Sequence, residues 1–507
     1  MNLEGAVTDG VDRGPNADDR HRDDRDQAAN QPLDVLIVGA GLSGIDAAYR
    51  LRERNPDLDY RIVERRSRIG GTWDLFRYPG VRSDSDIFTL SFPWNPWRGQ
   101  RTVARGDEIR EYLERTAEEF GIAERITFDV DVTGADFDSA TDLWTVDALV
   151  DGEPTTFVTR FLYMCTGYYR YEAGYRPEFP GEKDFRGTFV HPQFWPEDLD
   201  YEGKDVVVIG SGATAVTLIP SMAPRAGSVT MLQRSPTYMF PLPWEDPMTK
   251  LLQRALPAQV SHTVIRWRNA VSTMLMFLFC RAFPKLSRRL LRRIAIAMLP
   301  KGFDVDTHFK PRYEPWDQRL CVIPDGDFYT AIKDGDADVA TDTIARITET
   351  GVELDSGRHL PADIIVTATG LDLVSFGGAS LSVDGETVEP GEKYAYRGYM
   401  LDDVPNLAWS VGYTNASWTL RVDLTSQAVA ELIEYMRRGG HTRAVPSLRG
   451  ARPEAHALLE LDAGYVKRAG SRLPKAGDRA PWQVRHNLLL DAWDARRYDV
   501  TEEMSFS

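Results

Sequence analysis

Two glycine-rich stretches hold the residues whose spacing implies chemistry: Gly39-Ala40-Gly41-Leu42-Ser43-Gly44 and Gly210-Ser211-Gly212-Ala213-Thr214-Ala215. In a GxGxxG turn the first glycine allows the sharp bend and the second lets bare backbone approach a pyrophosphate. The third lets helix and strand pack closely. Ala215 stands in that third position of the second turn and is small enough for it. Twenty residues after Gly44, Glu64 ends a short apolar run, where a carboxylate accepts ribose hydroxyls and disfavours a 2′-phosphate. The first turn therefore reads as a site for FAD or NAD, with Gly39, Gly41, Ser43, Gly44 and Glu64 as its residues. The run after the second turn ends instead in Arg234-Ser235. An arginine there suits a 2′-phosphate through paired, charge-assisted hydrogen bonds. Gly210, Gly212, Thr214, Ala215, Arg234 and Ser235 thus read as an NADP(H) site, the alternative for Arg234 being an ordinary surface arginine.

These turns need strands behind them and helices in front. Val35-Leu36-Ile37-Val38 is an apolar run typical of a buried parallel strand, and Ile45, Ala48 and Leu51 follow with helical spacing. Asp205–Ile209 and Val229–Gln233 repeat the pattern around the second turn. The fold class expected is α/β, doubly wound. The 507 residues carry 60 Lys and Arg against 76 Asp and Glu, a formal charge of −16, which argues against a general nucleic-acid binder. Cys165, Cys280 and Cys321 are far apart, so neither a redox dithiol nor a zinc knuckle is signalled, no metal site is expected, and a reducing, cytoplasmic compartment fits. Residues 1–32 lack an apolar signal core and read as a disordered acidic arm.

Two longer patterns are more specific. Residues 70–84 read GGTWDLFRYPGVRSD, or GGxWxxxxYPGxxxD, and residues 185–196 read FRGTFVHPQFWP, or FxGxxxHxxxWP. On their own, Trp73 and Tyr78 are core aromatics and Asp84 is a helix cap as readily as a site residue. Together the patterns resemble the fingerprints of Baeyer–Villiger monooxygenases, which are class B flavoproteins. The stretches HPQFWPEDLDYEGKDVVVIGSGATAVTLIP, MLQRSPTY, PWDQRLC and GYTNASWTL extend the likeness from about residue 33 to 495. They point to the subgroup that activates thioamide prodrugs, set apart from cyclohexanone- and phenylacetone-oxidising enzymes.

The resemblance implies a two-dinucleotide flavoprotein. The FAD domain would comprise 33–170 and 365–495, a linker 171–200, and an inserted NADP domain 201–364 with a helical basic insertion at 250–302; 496–507 would be a tail. Strands ending in Thr166-Gly167 and Thr369-Gly370 would return the chain between domains. Thr72, Trp73, Asp84 and Val132 would lie by the flavin and Arg82 and Ser83 by the nicotinamide cofactor. Phe185, Gly187, His191, Trp195 and Pro196 would stiffen the linker. His191 would serve there as a hydrogen-bonding group, with direct proton transfer the alternative. NADPH would reduce FAD, and a flavin C4a-peroxide would insert oxygen into a ketone to give an ester, or oxygenate a sulfide or thioamide. Arg319 would be the catalytic cation and Asp84 its partner, against the alternative that Arg319 pairs with Asp317. Many family members have Lys-Arg where this chain has Gln318-Arg319. NADPH binding would then rest more on Arg234 and Ser235. Competing readings are an N- or S-oxygenating flavin monooxygenase without ketone insertion, a disulfide reductase, and a non-catalytic membrane-bound NADPH sensor.

One segment breaks the acidic pattern. Residues 251–300 contain nine Arg or Lys and no Asp or Glu. Val271–Cys280 is apolar but too short to span a bilayer, and Arg288, Arg289, Arg292 and Arg293 alternate with Leu290, Leu291 and Ile294. The composition fits contact with an anionic membrane or an apolar substrate entrance; a packed helical insertion with its arginines paired elsewhere is the alternative.

Overall fold

The computed structural model describes residues 31–459 and 461–507. Of the expected N-terminal arm only Gln31 and Pro32 fall inside that range; the rest lies outside the described residues. The chain opens with β1 (Leu33–Val38), α1 (Leu42–Arg54), β2 (Tyr60–Val63) and the one-turn helix α2 (Ile87–Leu90). Next come β3 (Ile126–Thr127), β4 (Val130–Asp138), β5 (Leu143–Val150) and β6 (Glu153–Met164). The connection carries β7 (Tyr169–Gly174) and β8 (Thr188–Val190) into β9 (Asp205–Ile209), α3 (Ala213–Met222) and β10 (Ser228–Gln233). Three helices, α4 (Pro247–Ala255), α5 (Ala258–Ala282) and α6 (Pro284–Met298), precede α7 (Asp327–Asp334), β11 (Ala337–Thr341) and β12 (Ile364–Thr367). The chain then returns through β13 (Ser380–Val383), β14 (Glu386–Thr387), β15 (Leu407–Trp409) and α8 (Trp418–Gly439).

Two sheets result. The first runs β14-β13-β4-β5-β6-β1-β2-β3, with β15 also on β6. Its β6-β1-β2-β3 part is parallel, while β4-β5-β6 is an antiparallel meander. The second runs β11-β10-β9-β12-β8 and is parallel throughout. Each glycine turn therefore joins the C-terminal end of a central parallel strand to a helix, where open α/β sheets bind ligands. The central strands are buried on both faces: Val35, Leu36 and Ile37 have no exposed surface. Ile45, Ala48 and Leu51 are equally buried, so the helical spacing read from the sequence is the inward face of α1.

The domain boundaries differ from expectation in three places. β12 pairs with β8 and β9, so a boundary at 364/365 would cut a strand of the second sheet. The linker fingerprint supplies an edge strand of that sheet, because Thr188–Val190 offers a full β-ladder to Ile364–Val366. Residues 496–507 are built into the fold. Met504–Phe506 pairs with Ala444–Pro446, and Glu503 accepts hydrogen bonds from Trp482 Nε1 and Arg479. These strands are only three residues long, too short for a period-two pattern to stand out in sequence.

The basic insertion bridges both units. The buried face of α5 carries Ser261, His262, Ile265, Arg266 and Ala270. Arg266 donates to the carbonyls of Phe88, Thr89 and Ser91 at 2.6–3.1 Å, satisfying the C-terminal end of α2. Helix α6 packs on α7 of the second unit. Several of the insertion's cations are paired as the packed-insertion alternative expects: Arg281 of α5 with Asp317, and Arg288 and Arg292 of α6 with Glu314 and Asp306.

The second and third positions of a glycine turn differ in what they tolerate. A Cβ on Gly44 would stand 1.8 Å from the carbonyl oxygen of Gly39, whereas one on Gly212 would meet nothing within 4 Å. Gly44→Ala is expected to cost about 3 kcal/mol of stability through backbone overlap and to lower bound flavin, while Gly212→Ala leaves the unfolding midpoint unchanged. Thermal unfolding of both variants, with flavin content measured on each, checks the pair.

Candidate active site

A single cleft collects most of the candidate residues. Its floor is the first turn, with Gly39, Gly41, Leu42 and Ser43, and Glu64 and Arg65 beyond the end of β2. The second fingerprint supplies Gly70, Gly71, Thr72 and Trp73, then Ser83, Asp84 and Ser85. Val130 and Val132 of β4 and Cys165 to Tyr169 after β6 close one side. Arg319, Tyr413, Ala416 and Trp418 close another. Gly44 does not line the cleft; it lies beneath, in the close packing of α1 on β1.

The cleft suits a dinucleotide. Gly41 caps α1 without a side-chain hydrogen bond, and no acid occupies the first helical turn. The free N–H groups and positive dipole end there are open to an anion. Gly41 and Gly71 face each other as bare backbone, since a Cβ on Gly41 would be 3.6 Å from Gly71 Cα. Glu64 is 4% exposed. Its Oε2 accepts the Ala40 N–H at 2.6 Å and its Oε1 the Arg66 N–H at 2.9 Å. Burial raises its pKa, with these two backbone bonds and Arg66 opposing. The carboxylate thus braces the turn and keeps lone pairs for ribose hydroxyls.

The cationic centre joins two distant segments. Arg319 Nε lies 3.1 Å from Asp84 Oδ2, and Arg319 Nη2 donates to Ser85 Oγ at 2.9 Å. Burial works against the guanidinium charge, the Asp84 carboxylate favours it, and the Arg319 pKa lies above its ordinary value. The alternative partner, Asp317, is taken by Arg281 Nη1 at 2.7 Å and the Glu314 N–H at 2.9 Å. Helix capping, the other reading for Asp84, falls to Asp86, which accepts the Thr89 N–H.

Of the nicotinamide-side and linker residues, all but Ser83 lie outside this cleft. Arg82 does not line the cleft. Its guanidinium, only 8% exposed, forms an ion pair with Asp327 at the start of α7, so it ties the first unit to the second. His191 is also outside the cleft. Its ring rests on Gly174, where an added Cβ would be 2.0 Å away, and its Nδ1 accepts the Gln193 N–H at 3.2 Å. Burial lowers its pKa, so the ring is neutral at neutral pH. Phe185 packs edge-on against Phe189, Gly187 passes the Asp363 carbonyl with no room for a side chain, and Trp195 packs on the second core while Pro196 is exposed.

At the second turn, α3 is capped by Gly212 with no side-chain bond and no acid in its first turn. Thr214 is half-buried and Ala215 fully buried. Gly210 takes φ +133°, close against the Ala368 carbonyl. Ser211 Oγ donates to the Ser235 carbonyl at 3.1 Å, which sets Arg234 and Ser235 beside that helix start, both exposed. Sequence reasoning missed the aromatic wall of the cleft: Tyr168, Tyr169, Tyr171, Phe376, Tyr413 and Trp418. The one local signal was the run of tyrosines directly after Thr166-Gly167.

Comparison with known proteins agrees with this geometry. Residues 101–274 match the flavin-binding monooxygenase-like family, and residues 37–97 match an NAD(P)-binding Rossmann-like domain. The FAD-containing monooxygenase EthA of Mycolicibacterium smegmatis is 49% identical over 93% of this chain and 96% of its own length. The chain belongs to the FAD-containing monooxygenases. The probable FAD-binding monooxygenase AlmA of Acinetobacter baylyi is 43% identical over 90% of this chain and 93% of its own length. Among solved structures, a steroid monooxygenase bound to NADP superposes with a TM-score of 0.73 at 24% identity, over 94% of this chain and 99% of that one. A cyclohexanone monooxygenase gives 0.72 at 20% identity, over 94% and 100%. At such identities these structures show the shared fold, that of two-domain flavin monooxygenases. This monooxygenase uses FAD and NADPH, and its glycine turns, uncapped helix starts and Glu64 fit those cofactors.

Arg234 is the one cation expected to discriminate NADPH from NADH. Arg234→Ala is expected to raise KM for NADPH ten- to a hundredfold and to leave KM for NADH within about twofold, since it removes a 2′-phosphate contact only. Steady-state kinetics with both nucleotides checks this; equal changes for both would make Arg234 a surface residue.

Proposed function

We propose that this monooxygenase inserts one oxygen atom of O2 into apolar ketones to give esters, and also oxygenates sulfides and thioamides at sulfur. The observation that carries the reading is the Arg319–Asp84 pair opening into the FAD cleft. The balance is ketone, O2, NADPH and a proton giving ester, water and NADP+. For a thioamide the same reagents give the S-oxide, water and NADP+.

Bound FAD, reduced by NADPH, supplies the oxygen activation. The protein supplies the rest. Arg319 sets a fixed positive charge where an attacked carbonyl develops negative charge, and Asp84 and Ser85 hold the guanidinium so that no reorganisation is needed during the reaction. Thr72, Trp73 and Val132 shape the flavin side of the cleft, and Ser83 lies beside Asp84. The tyrosines and Trp418 exclude water, which strengthens the electrostatics of the pair. His191 acts as a positioning residue in the linker. The reading places the enzyme in the cytoplasm, where thiols stay reduced. All three cysteines are buried and free, and burial pushes the Cys321 thiol up to about 12 and raises those of Cys165 and Cys280, so none is a redox-active thiolate.

The test is incubation of FAD-loaded protein with NADPH and a panel of ketones, a sulfide and a thioamide, with products identified by mass. Ester from a ketone is expected. Arg319→Ala is expected to lower kcat for ester formation by about 10²–10³ while bound FAD is retained, and Arg319→Lys to recover part of it. Sulfoxide without any ester, across the panel, would instead favour an N- or S-oxygenating monooxygenase.

A further inference from the structure

Helix α5 is apolar on both sides. Its inward face carries Ile265 and Ala270, but Val260, Val264, Trp267, Leu275, Leu278 and Phe279 point outward at 38–57% exposure. Val260, Val264 and Trp267 are spaced by four and three, and Leu275, Leu278 and Phe279 lie on the same side two turns further along the helix. Phe283, at the junction with α6, is 57% exposed, and Leu286, Leu290 and Ile296 are exposed on α6. Met248 and Leu251 of α4 are exposed as well. An ordinary packed insertion has no use for a second apolar face, and exposed large side chains collected on one surface mark an interaction site.

The charges on that surface are selective. Arg268, Arg281, Arg288 and Arg292 are paired with acids of the protein. Arg254, Lys285, Arg289 and Arg293 are exposed and have no ion-pair partner among the described residues. On α6 three of these free cations alternate with the outward Leu286, Leu290 and Ile296. No acid occurs from 251 to 300, in a chain of net charge −16. Among the described residues no single helix is long and apolar enough to cross a membrane; α5 and α6 meet at a bend of 113°.

We propose that the outward face of α5 and α6 docks on an anionic lipid bilayer. Large apolar side chains interleaved with unpaired cations are what an interfacial helix needs to enter the headgroup layer. A second copy of this chain fits less well, because a two-fold contact through this face would set Lys285, Arg289 and Arg293 against their own kind. The docked face lies one helix away from the cleft. Ala270 packs with Tyr413 and Leu420 on the inward side, and Tyr413 and Ala416 line the cleft. Docking therefore brings the substrate site within one side-chain layer of a helix lying on lipid.

Flotation of the FAD-loaded, full-length protein tests this, using phosphatidylcholine vesicles with and without phosphatidylglycerol. The protein is expected to float with the anionic vesicles only, and less as salt rises. Arg289→Gln with Arg293→Gln is expected to lower partitioning roughly 25-fold, from two lost surface charges. Leu275→Ser with Leu278→Ser is expected to abolish flotation while flavin content and the NADPH oxidation rate stay at the parent level. Protein that stays at the bottom with both vesicle types overturns the proposal, as do variants that float like the parent. So does a parent that does not float but is a dimer made monomeric by the leucine changes. Lipid binding is read without turnover, so its failure leaves the proposed oxidation chemistry standing, and the reverse holds.

Discussion

The site depends on how closely the first unit presses against the second. The turn Tyr78-Pro79-Gly80 seats against α3, where a Cβ on Gly80 would overlap Ser221 Oγ at 1.8 Å and the backbone runs at φ +75°. Only glycine meets both demands. Two residues on, Arg82 is pinned to Asp327 of the second unit. With both ends of that short turn fixed, the next residues, Ser83 to Ser85, can only face the cleft. Asp84 reaches Arg319 because the backbone before it has no freedom to place it elsewhere.

The same logic explains why an acidic chain holds its cations so firmly at the site. Arg319 is 31% exposed, too open for a lone ion pair to fix it well, and side-chain entropy would spread an unsupported guanidinium over several rotamers. Two features narrow that spread: the carboxylate of Asp84 and the hydroxyl of Ser85. Asp317, the nearer acid in sequence, is removed from competition by Arg281 and by a backbone N–H. Competing partners are thus satisfied elsewhere, so that one pairing survives in the cleft.

How legible this was from sequence followed the range of each interaction. The strand-turn-helix units around Gly39 and Gly210 were readable because their constraint is local: a bare-backbone turn, a buried strand, a helix with period 3.6. Glu64 was readable for the same reason, since it lies one strand away. Arg82 was not. Its partner Asp327 lies on a helix that no local pattern links to it, so the ion pair tying the two units leaves no trace in the fingerprint. The aromatic wall was unreadable for a similar reason. Tyr168, Phe376 and Trp418 come from three separate returns of the chain and share no spacing. The tail strand at 504–506 was lost because three residues carry no pattern, only a partner.

Helix α5 shows where local reading and tertiary packing must be combined. Its sequence is apolar around most of its circumference, which by itself describes a buried helix. Packing divides that circumference. Arg266 is drawn fully inward because three carbonyls at the end of α2 need a donor, and His262 follows it to Ser91 Oγ at 3.0 Å. Once those polar groups claim the inner face, the helix cannot rotate to hide Trp267 or Leu275 without leaving a guanidinium unpaired in the core, which costs more than exposing two apolar side chains. The inward anchor therefore fixes which positions face outward, but not that they are apolar. A helix needing only to cover the first unit could have carried polar residues at 260, 264, 267, 275 and 278 at no cost to that anchor.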